Sequence, residues 1–181
     1  LARTLAEAVL TAGGENRVAF CAFGEAGSSR WSCPLTESRA DVLACIDASP
    51  VQRGGDHAAG LARALRLLNR RTVSERLGRR AAVVVLSGGE TFPAENGTRA
   101  LCLAEALKGT MGEEMPAVFG AALSPEERRA CGAEVIAVGL WDGGSTLLSA
   151  LASDAGARFT FEKIETAEAV TSAVLNRIGL R

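Results

Sequence analysis

Apolar residues follow two patterns along this chain: short continuous runs, and recurrence at every third or fourth position. The runs at 17–23, 79–86 and 133–138 predict buried strands, because a strand covered on both faces has apolar residues at successive positions. Shorter runs at 30–33 and 158–161 predict an edge strand and a final strand. Glycine-containing turns end the three long runs, so each is expected to be a separate element.

The recurrence of apolar residues at every third or fourth position predicts helices between these strands. The predicted helices are 1–12, one capped by Thr36 or Ser38, 58–69, one beginning at Ser124, 145–155, and one capped by Thr166. Strands that alternate with helices indicate an α/β domain with a mainly parallel sheet and right-handed crossovers.

Length and composition are those of one globular domain. The chain has 181 residues, of which 48% are apolar and 23% charged, so neither a disordered nor a collagenous protein is expected. We expect a single domain over 1–181. The segment 91–123 has little strand signal and contains Gly, Pro and both Met residues, and it is predicted to be an insertion with a short helix at 98–107.

Charge and aromatic content exclude two classes of partner. The chain has 20 Lys+Arg against 21 Asp+Glu, a balance that excludes a bulk polycation for coating nucleic acid. Aromatic residues make up 4% and tyrosine is absent, so a base-stacking surface is not expected either. No apolar run approaches the roughly 20 residues of a membrane span, and we expect no insertion of this domain into a membrane.

The five cysteines leave two interpretations open. No Cys-x-x-Cys pair occurs, so a zinc knuckle or thioredoxin motif has no support. The set is compatible with buried free thiols and equally with one or two disulfides of a secreted protein. Cys33 with Cys45, and Cys102 with Cys131, are hypothetical pairs.

Ligands of parallel α/β sheets bind at the carboxyl ends of the strands. The loops at 24–29, 50–57, 87–91 and 141–145 are therefore the candidate binding region. The predicted ligand-binding residues on these loops are Asp56, His57, Ser87, Glu90 and Asp142.

Several of these residues have a simpler interpretation beside the functional one. His57 is able to bind a transition metal or act as an acid/base, but it is more simply a polar cap of the helix that begins near Ala58. The turn Ser87–Glu90 resembles a phosphate cradle without its sequence motif. A triad of Ser87, His57 and Asp56 is disfavoured, because adjacent Asp and His rarely orient each other. No catalytic residue is therefore predicted.

Arginines form a dense basic segment on and after the predicted helix 58–69. Arg63, Arg66 and Arg70 recur at helical spacing, and Arg71 follows them. Guanidinium groups in this pattern favour a sulfated glycan or another polyanion, whereas a solvated helix face is the simpler alternative.

Five segments in order resemble a von Willebrand factor type A (vWA) domain: RVAFCAFG, PLTESRADVLACIDAS, GGDHAAGLARAL, RRAAVVVLSGGE and AEVIAVGLWDGG. The resemblance covers essentially the whole chain and implies a three-layer, Rossmann-like fold, with a mostly parallel central sheet flanked by helices. In its arginines, cysteines and long insertion, the chain is also similar to the A domains of apicomplexan surface adhesins.

The family's adhesion site usually holds Mg²⁺ through oxygen ligands, and this sequence departs from it. The resemblance aligns the family's Thr ligand with His57 and its Asp ligand with Gly88. Imidazole is a poor magnesium ligand and glycine has no side chain. We therefore expect a degenerate site with no metal ligand and no cofactor, with Mg²⁺ as the one ion to be tested.

The family's first strand, which lies in the centre of its sheet, has no counterpart in this sequence. Without it the neighbouring strands would each lose a hydrogen-bonding partner. We expect that a longer parent protein supplies this strand, so that the domain is truncated at its amino-terminal end. The alternative is that the sheet closes over the gap.

The resemblance implies a non-enzymatic adhesion module, extracellular or on the cell surface, that binds a protein or a sulfated glycan. One alternative is a cytoplasmic scaffolding domain of the same fold in a protein complex. Another is an α/β enzyme that binds a phosphate or nucleotide at Ser87–Glu90.

Overall fold

The computed structural model describes residues 1–24, 32–49, 55–71, 80–89, 91, 94, 96–110, 131–141, 146–161 and 166–180. The helices are α1 (Ala2–Thr11), α2 (Arg39–Asp47), α3 (His57–Asn69), α4 (Asn96–Lys108), α5 (Thr146–Leu151) and α6 (Ala167–Ile178). The strands are β1 (Val18–Cys21), β2 (Ser32–Thr36), β3 (Ala82–Ser87), β4 (Glu134–Leu140) and β5 (Arg158–Phe161).

The strands form two separate sheets within the described part of the chain. Strands β3, β4 and β5 pair in parallel in that order, with Ala82 opposite Glu134 and Ala137 opposite Arg158. Strands β1 and β2 pair antiparallel. Pro34 lies in β2, which is an edge strand and so does not need every backbone N–H for a ladder.

The two sheets do not pair among the described residues, but both contact the start of α3. The backbone N–H of Asp56 donates to the carbonyl of Gly24, which follows β1, at 2.8 Å. The ring of the adjacent His57 meets the hydroxyl of Ser87, the last residue of β3, at 2.8 Å. The carboxyl ends of β1 and β3 therefore both meet the start of α3.

A cavity of about 1870 Å³ lies between β1 and β3, and we call it the inter-sheet cavity. It changes the burial of the strands beside it. Every residue of β1 is half-buried, and β3 is fully buried only at Val85 and Ser87. The prediction that 17–23 and 79–86 are covered on both faces is therefore wrong for these strands, because one flank of each faces the cavity. Between its two neighbours, β4 is buried from Val135 to Gly139.

Helix α4 belongs to the core although it falls inside the predicted insertion. It packs against α3, and Leu103 and Leu107 have no exposed surface. The described part of 91–123 is thus largely a core helix, and an insertion in the rest of that interval stays a prediction. The helix predicted to begin at Ser124 lies outside the described residues.

Helix ends follow the predicted capping chemistry in most places. Ser38 caps α2 and its hydroxyl accepts from the N–H of Asp41. Thr166 is the N-cap residue of α6, although its side chain makes no capping hydrogen bond. Within the described ranges, every helix is too short or too polar to cross a bilayer.

Candidate functional site

The carboxyl ends of β1 and β3 converge on the first turn of α3. Asp56 is the N-cap of this helix, and its carboxylate accepts from the N–H of Ala59 at 3.1 Å. The prediction that His57 caps the helix is wrong by one residue, because His57 is already its first helical residue. The shift releases the imidazole from capping and turns it toward β3.

The imidazole of His57 and the hydroxyl of Ser87 form a buried pair. Their side chains are 1% and 9% exposed, and Nε2 lies 2.8 Å from Oγ. The N–H of Gly89 also donates to that hydroxyl, at 3.2 Å. Within the described part of the chain, Nδ1 of His57 is buried without a hydrogen-bond partner. The pair links the start of α3 to the end of β3.

Burial controls the charge of this histidine. Loss of water lowers the pKa of His57 below its usual range, and the Gly55 carbonyl and the Asp56 carboxylate oppose the shift only in part. The ring of Phe23 adds an apolar cover, with its centroid 5.2 Å from that of the imidazole. The two rings are tilted by 54°, and Gly60 leaves room for Phe23, because a Cβ there would lie 2.9 Å from the Phe23 ring. The imidazole is therefore neutral at pH 7.

Thr91 completes the site and was not predicted from the sequence. Its hydroxyl accepts from the N–H of His57 at 3.3 Å and donates to the carbonyl of Gly55 at 3.0 Å. Asp56, Ser87 and Thr91 thus each use a side-chain oxygen in hydrogen bonds within the protein. The described residues contain no group of three or more His, Cys, Asp or Glu side chains placed to hold a metal ion.

The same geometry bears on the enzymatic alternatives. A serine–histidine contact is present, but the Asp56 carboxylate binds the start of α3, and no acid is hydrogen-bonded to Nδ1 among the described residues. Among the described residues, the next helix after β3 begins at Asn96, so none starts directly after Ser87–Gly89 to cradle a phosphate. Glu90 and Asp142 lie outside the described residues.

Trp141 stands at the carboxyl end of β4 and is a further residue that sequence reasoning missed. Its side chain is 66% exposed, and its backbone is in the left-handed region with φ of 55°. Bulky residues rarely adopt this conformation, and strained positions cluster at functional sites. The N–H of Trp141 donates to the Phe161 carbonyl at 2.7 Å, which holds the strained backbone in place. The only signal in the sequence is the turn Trp-Asp-Gly-Gly after a buried strand.

The predicted arginine surface divides into two pairs. Arg66 and Arg70 are exposed one helical turn apart, whereas Arg63 and Arg71 are half-buried. The guanidinium of Arg71 donates from Nε to the Leu68 carbonyl at 3.2 Å. Of these four arginines, Arg66 and Arg70 are therefore the exposed ones.

All five cysteines are free thiols in the structure. Cys45 packs against the small cluster that contains Cys33. The pKa of Cys45 is raised, chiefly by burial and to a smaller extent by the neighbouring Cys33 thiol. The thiol of Cys131 donates to Oδ1 of Asn69 at 3.1 Å. The pairings of Cys33 with Cys45 and of Cys102 with Cys131 both stay predictions. In the first pair, the two side chains are neighbours.

The structure resembles a solved vWF domain. The vWF domain of the type V pili tip protein Mfa5 from Porphyromonas gingivalis matches with a TM-score of 0.60 and 14% identity, over 99% of this chain and 87% of that chain. No protein-family profile matches the sequence, and no curated protein does. The likeness confirms the predicted fold class: this is an α/β domain with the Rossmann-like fold of vWA domains. The narrower similarity to apicomplexan adhesins stays a prediction.

Proposed function

We propose that this domain is a non-enzymatic, extracellular adhesion module that binds a protein partner at the carboxyl ends of its strands without a metal ion. The observation that supports metal independence is the engagement of the nearby oxygens. Asp56 caps α3, and Ser87 is held by His57 and Gly89. A Mg²⁺ ion at the Ser87 hydroxyl or at Oδ1 of Asp56 would compete with these hydrogen bonds.

Trp141 is the proposed anchor for the partner. Tryptophan is enriched among the residues that dominate binding energy at protein interfaces. Here it is exposed, held in a strained backbone conformation, and placed at the same sheet edge as Ser87. The fold match to a domain of a pilus tip protein supports an adhesive role for this edge.

A binding array with matched variants tests this function. The unmodified domain and Trp141→Ala are applied to immobilised extracellular-matrix proteins in the presence of EDTA or Mg²⁺. We expect binding to at least one protein that EDTA does not change and that Trp141→Ala weakens about thirtyfold, as for a hot-spot residue worth about 2 kcal/mol. Phe161→Leu, a half-buried neighbour on β5, is the control and should bind normally. Binding that requires Mg²⁺, or no binding to any protein, contradicts the proposal.

A sulfated glycan is the second candidate ligand, and the exposure of Arg66 and Arg70 favours it. Forked guanidinium groups one turn apart suit sulfate groups on an extended polyanion. We expect the double variant Arg66→Ala/Arg70→Ala to lose binding to immobilised heparin at lower salt than the unmodified domain. The double variant Arg3→Ala/Arg39→Ala is the charge-matched control away from α3, where Arg3 pairs with Asp47 at 2.6 Å and Arg39 with Glu7 at 2.8 Å. Equal salt elution of all three proteins contradicts a glycan site on α3.

A cytoplasmic scaffolding domain remains the alternative location for the same fold. The oxidation state of Cys33 and Cys45 separates the two, because a disulfide persists only in an oxidising compartment. Mass spectrometry of the protein isolated with and without reductant measures it directly.

A further inference from the structure

Asn96, Gly97 and Thr98 form the acceptor sequence for N-linked glycosylation, in which an asparagine is followed two positions later by threonine or serine. The chain has four asparagines, and only Asn96 has a hydroxyl residue at that distance. Such a triplet is short enough to arise by chance, so its structural setting decides whether it is a usable site.

The side chain of Asn96 makes no hydrogen bond within the described part of the chain. It is half-buried at the first position of α4. Two other asparagines differ, because Nδ2 of Asn16 donates to backbone carbonyls at 3.1 and 2.6 Å, and Oδ1 of Asn69 accepts from the Cys131 thiol at 3.1 Å. The amide nitrogen of Asn96 is therefore open to modification without loss of a contact that the fold needs.

The other two residues of the triplet leave space around this amide. Thr98 is exposed, and a Cβ added to Gly97 would meet only the methyl carbon of Thr91, at 3.6 Å, which is an ordinary contact. The buried residues of α4 begin at Ala100, so the triplet contributes no fully buried side chain. Asparagine and glycine are also poor helix formers. Core packing and helix stability therefore give no reason for Asn-Gly-Thr at this place.

The triplet lies at the carboxyl end of the sheet, beside the candidate site. The last turn of α4 is at the opposite end, because the Leu107 carbonyl accepts from the N–H of Ala133, directly before β4, at 2.7 Å. A helix of 13 residues is about 20 Å long, roughly the length of the six-residue strand β3. The first turn accordingly borders Thr91, whose hydroxyl donates to the Gly55 carbonyl before α3.

We propose that Asn96 carries an N-linked glycan, which stands in solvent beside the carboxyl end of the sheet. The proposal rests on the extracellular location proposed above, because this modification belongs to secreted proteins.

Glycosylation of this amide is a group transfer from an oligosaccharide that is attached to a lipid diphosphate. A bond forms between Nδ2 of Asn96 and the anomeric carbon of the first sugar, while the bond from that carbon to the diphosphate oxygen breaks. The electron pair of the broken bond leaves with the lipid diphosphate, and one amide proton passes to a base of the transferase. The product is a bulky, hydrated group on the surface.

The test expresses the full 181-residue chain with an added signal peptide in a eukaryotic cell line. Asn96→Gln removes the acceptor amide, and Thr98→Ala removes the hydroxyl. Thr98→Ser keeps the hydroxyl and is the matched control. Intact masses are compared before and after enzymatic removal of N-linked glycans. The peptide that contains Asn96 is also compared with that of an untreated sample, because Asn-Gly deamidates spontaneously. If the chain is retained in the cell, the intracellular protein is measured in the same way.

We expect the unmodified sequence and Thr98→Ser to show an added mass that the enzyme removes, and Asn96→Gln and Thr98→Ala to show none. Removal of the glycan should change the thermal midpoint by less than about 2 °C, as for a surface change that breaks no contact. A chain without a glycan, an added mass that persists in Asn96→Gln, or a larger shift of the midpoint overturns the proposal. The binding array with Trp141→Ala needs no glycan, so the proposed function and the modification site fail or stand separately.

Discussion

Leu103→Ala is expected to lower the free energy of unfolding by about 2–5 kcal/mol, the cost of removing a fully buried leucine from a packed interior. Leu103 has no exposed surface and lies on α4, which packs against α3. For a domain of this length the loss lowers the thermal midpoint by roughly 5–15 °C. Urea denaturation measures the effect. The slope of the free energy of unfolding against urea concentration should stay unchanged.

Leu101→Ala in the same helix is the matched control. Leu101 is half-buried and packs only at the margin of the core, so its truncation should cost less than half as much. If both variants unfold at the same urea concentration as the unmodified chain, α4 is a peripheral helix of an insertion. A selective effect of Leu103 instead identifies α4 as an integral part of the core.

The burial of α4 in the core could not be predicted from the sequence alone. The strands at 134–140 and 158–161 and the start of α2 were predictable, because hydrophobic runs and capping residues act within a few positions. The residues around α4 include Gly and Pro and suggested an insertion. Its burial depends on α3, some 30 positions away, and local pattern holds no information about that contact.

The candidate site was predictable as a region but not as a set of contacts. The rule that ligands meet the carboxyl ends of strands placed 50–57 next to 87–91, and the structure confirms that these loops meet. The rule does not predict that α3 begins at His57 rather than at Ala58. This one-residue difference decides whether the imidazole caps the helix or binds Ser87. The left-handed backbone of Trp141 has no sequence signal either, because non-glycine residues adopt it only under tertiary constraint.

Mild acid is expected to destabilise the protein through His57 alone. The pKa of the buried imidazole is lowered on folding, chiefly by loss of water. As the pH falls below about 6.5, the unfolded chain binds a proton that the folded chain excludes, so stability is complete above that pH and falls until the folded pKa is reached. The limiting slope for one proton is about 1.4 kcal/mol per pH unit.

His57→Gln is the control, because its amide can still hydrogen-bond Ser87 but does not titrate. His57 is the only histidine, and carboxylates titrate mainly below pH 5, so the window from pH 6.5 to 5 isolates this residue. Thermal midpoints relative to those at pH 8 should fall in the unmodified protein and stay level in His57→Gln. Parallel declines would contradict a buried neutral imidazole. A selective decline would mean that protonation of His57 opposes its burial against Ser87.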